Sequence, residues 1–232
     1  MTINLRMITD NQAAFEMFPI EPASDVKPDW LSEMRTRIQT DPTVKSVQTT
    51  MPTLKACTGI RDTLEDGFIL RAWCDFSVII FPDGGFQYAH GASAPNRSVE
   101  IHAREQYQSV WPNHTAIKLV SPWAAVEKTG CRFMVVPAVY HSPNLTKHFM
   151  PHGVIDFKYQ HSVNPFIVAE WKDKPYEIFI SAGTPLLHVI PMTDKRVKLS
   201  CEAGDPHKYT AKRTVFLVSQ YKRMRKFIDD RW

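Results

Sequence analysis

No run of eighteen uncharged apolar residues occurs in this 232-residue chain, so nothing in it is built to cross a membrane as a helix. The opening residues, MTINLRMITDNQ, are too polar for a secretory leader, and a soluble intracellular product is expected. Cysteine is scarce. Cys57, Cys74, Cys131 and Cys201 form no C-x-x-C pair, which excludes a zinc ribbon and a dithiol redox motif and leaves reduced, partly buried thiols. Glycine is rarer than proline, 9 against 17, and neither a P-loop nor a G-x-G-x-x-G turn occurs. No G-x-S-x-G elbow marks a serine nucleophile. The nine histidines show neither H-x-H nor H-E-x-x-H spacing, so they read as loop and core residues, and no metal or cofactor is specified.

What is present is the composition of an ordinary folded protein, 44% hydrophobic and 22% charged. Abundant proline and 11% aromatics favour strands and turns over a helix bundle. The net charge of +4 is unevenly placed: eight Lys/Arg stand against two Asp from residue 208 onward, while the preceding body is slightly acidic. In that tail Leu217, Tyr221, Met224 and Ile228 have helical spacing, with Lys222, Arg223, Arg225 and Lys226 between them. The pattern predicts a basic amphipathic helix. It would offer a contact for nucleic acid or another anionic partner, although a solvated face is the commoner use of such a pattern.

The first 27 residues carry Pro19 and Pro22 and no sustained period, and read as an irregular or extended arm. Pro28-Asp29-Trp30 opens a predicted helix, with Trp30, Leu31, Met34 and Ile38 on one face up to Asp41-Pro42. A second short helix is predicted over 59–65, with Gly67 as a left-handed cap. From Leu70 to Phe81 apolar residues alternate, the clearest strand signal in the chain, and Asp83-Gly84-Gly85 then predicts a hairpin into 86–89. Further strands are expected over 99–102, 116–120, 131–139, 166–170, 177–180 and 187–191. Short strands with little helix between them argue for an antiparallel sandwich or barrel.

Within the C-terminal half, Pro151-His152-Gly153-Val154-Ile155-Asp156-Phe157-Lys158-Tyr159 is followed by a strand and then by Gly183-Thr184-Pro185-Leu186-Leu187-His188-Val189-Ile190. This order resembles trimeric dUTPases and dCTP deaminases, over roughly residues 122–192. The resemblance implies a β-clip fold and a trimer with sites between subunits. It makes Asp156 the group that activates water and Tyr159 the base-stacking residue; a ligand pocket there would gather His141 and His188 as further polar groups. Two of the family's elements are absent. No Pro-Arg-Ser phosphate grip precedes Gly153, where residues 137–143 read PAVYHSP, and no Gly-rich arm follows; His188 stands where a Gln is expected. Gly153 and Asp156 serve equally well as parts of a turn.

Across residues 54–196, the runs KACTGIRD (55–62), GFILRAWCD (67–75), KLVSPW (118–123) and VNPF (163–166) also resemble a protein family of tailed bacteriophages. The expected organisation is an arm and helix over 1–53, a β-clip-like domain over 54–194, and a basic segment over 195–232. Two functions fit it: a β-clip pocket for a nucleotide or nucleobase, or a non-catalytic phage assembly protein that uses the β domain as scaffold. Either would work in the cytoplasm of an infected bacterial host or in the virion.

Overall fold

A computed structural model describes residues 2–39, 50–91 and 98–210, together with Lys226. The chain runs β1 (Ile3–Thr9), α1 (Gln12–Met17), β2 (Glu21–Pro22), α2 (Asp29–Glu33), β3 (Arg37–Gln39), β4 (Thr50–Pro52), α3 (Thr58–Glu65), β5 (Phe68–Arg71) and β6 (Phe76–Ile80). It continues with β7 (Phe86–His90), β8 (Val99–Ile101), β9 (His114–Leu119), β10 (Ala124–Val126), β11 (Arg132–Pro137) and β12 (Gly153–Asp156). Last come β13 (Phe166–Glu170), β14 (Tyr176–Ile180), β15 (Pro185–Pro191), β16 (Val197–Ala203) and α4 (His207–Thr210).

Strands dominate. The largest sheet has five antiparallel strands in the order β12-β11-β15-β5-β2. Two three-stranded antiparallel sheets, β13-β9-β8 and β14-β6-β7, stand beside it, and β3 pairs with β4. In the remaining sheet, β1 lies between antiparallel β10 and parallel β16. One core joins the sheets, with Trp73, Trp123, Phe76, Phe133 and Phe157 among its fully buried side chains.

Within the irregular or extended arm expected over the first 27 residues, Ile3–Thr9 form β1, the centre of a sheet. Ile3, Leu5, Met7 and Ile8 are buried, each adding about 1.5–3 kcal/mol of apolar burial. Register with β16 holds from Ile3 opposite Val197 to Thr9 opposite Ala203. The Arg6 guanidinium donates to both oxygens of Glu202, at 2.8 and 2.6 Å. β1 and β16 thus lie outside residues 54–194 yet close on β10 inside them.

Other expectations are redrawn locally. The helix opened by Pro28 ends at Glu33, because Ile38 turns into β3 and pairs with Met51 rather than continuing the apolar face. The alternating run 70–81 is divided between two sheets. Ala72 bonds in both directions with the 183–184 turn, its N–H donating to the Thr184 carbonyl and its carbonyl accepting from Gly183. Asp75 then accepts from the Ala182 N–H at 2.7 Å, so the backbone is pinned across the gap, where Ala72, Trp73 and Cys74 are all buried and the alternation breaks. Helix α3 and the 83–85 hairpin form as expected; Gly67 and Gly84 both have positive φ, 81° and 83°. The strands expected over 99–102, 116–120, 131–139, 166–170, 177–180 and 187–191 all occur, with shifted ends. All four cysteines are free thiols, and no helix among the described residues is long and apolar enough to cross a membrane.

Candidate functional site

Asp156 closes β12, where it lies opposite Arg132 of β11. The chain turns at once. The Asp156 carbonyl accepts from the N–H groups of Tyr159 and Gln160, at 3.1 and 2.9 Å. Its carboxylate Oδ1 accepts from the Lys158 N–H at 3.0 Å, the side-chain bond by which an aspartate stabilises its own turn. Asp156 is 6% exposed and Tyr159 3%. The Lys158 ammonium lies 5.4 Å from the centroid of the Tyr159 ring. Gly153, expected to lend the backbone freedom, does not: its φ is not positive, and a Cβ there would meet open space.

A buried carboxylate that acts on the same cysteine as Asp156 was missed by the sequence reading. Glu127, 1% exposed, accepts from three consecutive backbone N–H groups: Thr129 at 2.5 Å, Gly130 at 2.8 Å and Cys131 at 3.0 Å. Its own N–H points at the Phe157 carbonyl, 3.4 Å away. Both carboxylates act on Cys131, whose thiol pKa is raised by burial first, then by Glu127 and, more weakly, by Asp156. A thiol held protonated in this way is a poor nucleophile. The sequence signal for this turn was an acid two residues ahead of Thr129-Gly130.

His141 and His188 form a second, separate cluster. Their rings meet edge to face with centroids 5.3 Å apart. His188 Nε2 lies 2.5 Å from the Asp66 carbonyl; a carbonyl only accepts, so the proton is on Nε2 and Nδ1 is bare. Both nitrogens of His141 are buried without a hydrogen bond of ordinary geometry, although the Ala23 backbone lies near enough to favour the charged ring. Burial lowers the His141 pKa to about 4, with the neighbouring His188 the next cause. Burial also lowers that of His188, against the Asp66 hydrogen bond, which raises it. Both rings are therefore neutral at pH 7.

The two clusters do not share a pocket. Asp156 is opposite Arg132 on one side of β11, and His188 is opposite Val136 on the other. Four residues along a strand span about 13 Å. Two surface cavities, of about 580 and 730 Å³, are lined by none of these four residues. Among the described residues, no group of three or more His, Cys, Asp or Glu is placed to hold a metal ion. Of the basic-helix residues, Lys222, Arg223 and Arg225 lie outside the described residues, and Lys226 is exposed.

In comparison with known proteins, the chain matches no family model and no curated protein.

Proposed function

We propose that the chain is a non-hydrolytic phage protein whose β domain serves as a scaffold for assembly or partner contact. The observation that carries this reading is the Asp156 turn. Its carboxylate accepts from the Lys158 N–H within its own loop, and Tyr159 is buried rather than presented to a ligand. A general base must instead reach a water in a substrate-sized space. No phosphate-gripping element precedes Gly153, so the chain keeps the Asp156 turn of the dUTPase-like resemblance without the group that would hold a triphosphate. The proposed assembly is a homo-oligomer, a trimer by the same resemblance, working in the infected bacterial cytoplasm or the virion. The basic C-terminal segment is its proposed contact for an anionic partner.

A nucleotide-binding β-clip is the second reading. It is favoured by the meeting of Asp156, Lys158 and Tyr159 in one turn. The test is a thermal-shift screen of the full chain against dUTP, dCTP, their monophosphates and nucleosides, each with and without Mg²⁺, alongside phosphate-release assays and sedimentation equilibrium. The scaffold reading expects no turnover, no stabilisation reversed by Tyr159→Ala, and a defined oligomer. Saturable stabilisation by one nucleotide class, lost in Tyr159→Ala, would replace it with the second reading.

A further inference from the structure

The described cavities differ in their charge. The larger, about 730 Å³, lies between the end of α3 and the β15–β16 connection. It balances Lys195, Arg196 and Lys198 against Glu65, Asp66 and Asp194, so it selects neither sign. The smaller, about 580 Å³, lies between the turn at 23–25, α2 and α3. That volume is within the range of about 300–1,000 Å³ typical of small-molecule sites.

Its floor is apolar and fixed. Ala23, Val26, Pro28 and Leu64 are buried, and Leu31 is half-buried. The Ala23 N–H donates to the Gly67 carbonyl at 2.9 Å, and the Trp30 indole N–H donates to the Tyr140 carbonyl at 2.7 Å. These bonds tie Ala23 to the residue that precedes β5, and α2 through Trp30 to the loop that follows β11. Around that floor stand Lys27, Lys55 and Arg61, with Glu65 the single carboxylate among the described lining residues. Arg61 meets Glu65 at 3.9 Å, with both side chains well exposed, a pairing of little strength. Among the described residues, neither lysine forms an ion pair with a carboxylate. The described lining residues therefore carry two uncompensated positive charges above an apolar base, and Thr36 adds to the polar part.

We propose that this cavity binds a small organic anion: an apolar or aromatic body seated on Ala23, Val26, Leu31 and Leu64, carrying one phosphate or carboxylate group held by Lys27, Lys55 and Arg61. An apolar floor supplies affinity for the body, while the cations set the sign and orientation of the head. The site is independent of the GVID turn and stands whether or not that turn handles nucleotides.

The experiment is calorimetric titration of the full chain with phenyl phosphate, benzoate, inorganic phosphate and benzyl alcohol, combined with methyl NMR. Expected is saturable binding of phenyl phosphate or benzoate, at least about tenfold tighter than that of inorganic phosphate or benzyl alcohol. The two anionic arms distinguish a phosphate site from a carboxylate site. Methyl shifts should concentrate at Ala23, Val26, Leu31 and Leu64. Joint Lys55→Gln and Arg61→Gln substitution should weaken binding about tenfold or more, whereas Lys195→Gln with Lys198→Gln at the other cavity should leave it unchanged. Lys27→Gln gives the same readout should the double variant fold poorly. Absence of saturable binding, equal affinity for benzyl alcohol, shifts confined to other methyls, or unchanged affinity in the Lys55/Arg61 and Lys27 variants would each overturn the proposal.

Discussion

Acid should loosen this protein through His141, by an amount that can be worked out. In the folded chain its pKa is lowered from 6.5 to about 4, because burial and the adjacent His188 oppose a charge on the ring. An unfolded chain restores the ordinary value, so between those limits it binds more protons than the folded one and stability rises with pH. The contribution is complete above about pH 6.5, declines as the pH falls towards 4, and levels off below. At about 1.36 kcal/mol per unit, His141 alone removes about 2 kcal/mol between pH 8 and pH 5, and about 3 kcal/mol once fully protonated. His188, lowered in the same direction, adds to the decline. The perturbation is His141→Leu, which removes the titration together with two buried nitrogens that lack a hydrogen bond of ordinary geometry. At pH 8 this variant should be as stable as the wild type or more so, since an unsatisfied polar ring is replaced by an apolar one. Urea unfolding followed by tryptophan fluorescence at pH 8, 7, 6 and 5 gives the two stability curves. Their difference should grow in favour of the variant by about 2 kcal/mol from pH 8 to pH 5. Parallel curves would refute the argument, because groups common to both proteins cancel.

Three further outcomes are expected. Glu127→Ala leaves three backbone N–H groups without their charged acceptor and should cost about 3 kcal/mol or more in urea unfolding, with Glu127→Gln losing about half as much; a loss below about 0.5 kcal/mol would contradict that bonding. Gly84→Ala places a Cβ 2.3 Å from the Trp171 ring at a φ of +83°, so a loss of about 2 kcal/mol or more is expected in the same assay; an unchanged midpoint would refute it. Leu5→Ala should cost about 3 kcal/mol, and removal of residues 2–9 should abolish cooperative unfolding, since β1 holds β10 and β16 together. A truncated chain that melts cooperatively would restore the reading of this segment as an arm.

Several strands were legible because one face is buried: Phe76, Val78 and Ile80, or Phe133 and Val135, alternate with more exposed neighbours. The break between β5 and β6 was not legible. Leu70, Ala72, Cys74 and Phe76 stay buried across it, and what divides them is the backbone bonding of Ala72 and Asp75 to residues 182–184. β1 was missed for a different reason. Ile3, Leu5 and Met7 do alternate with Asn4 and Arg6, but the run is short and its partner β16 lies nearly the whole chain away, so the pairing itself has no local signal. Sequence proximity also misled at the site. His141 was read beside Asp156, yet β11 separates them, and the residue that acts with Asp156 on Cys131 is Glu127, from the preceding turn. A lone glutamate before Lys-Thr-Gly looks like a solvated charge until its three backbone partners are seen.

Asp156 either holds a turn or activates water. The most direct measurement compares wild type, Asp156→Ala and Asp156→Asn for urea stability and for phosphate release from dUTP and dCTP with Mg²⁺. The turn reading expects no release from any of the three, a loss of about 1–2 kcal/mol for the alanine variant, and a smaller loss for asparagine, whose carbonyl oxygen still accepts from Lys158. Release by the wild type that disappears in Asp156→Asn, with stability unchanged, would contradict it and make Asp156 a catalytic residue.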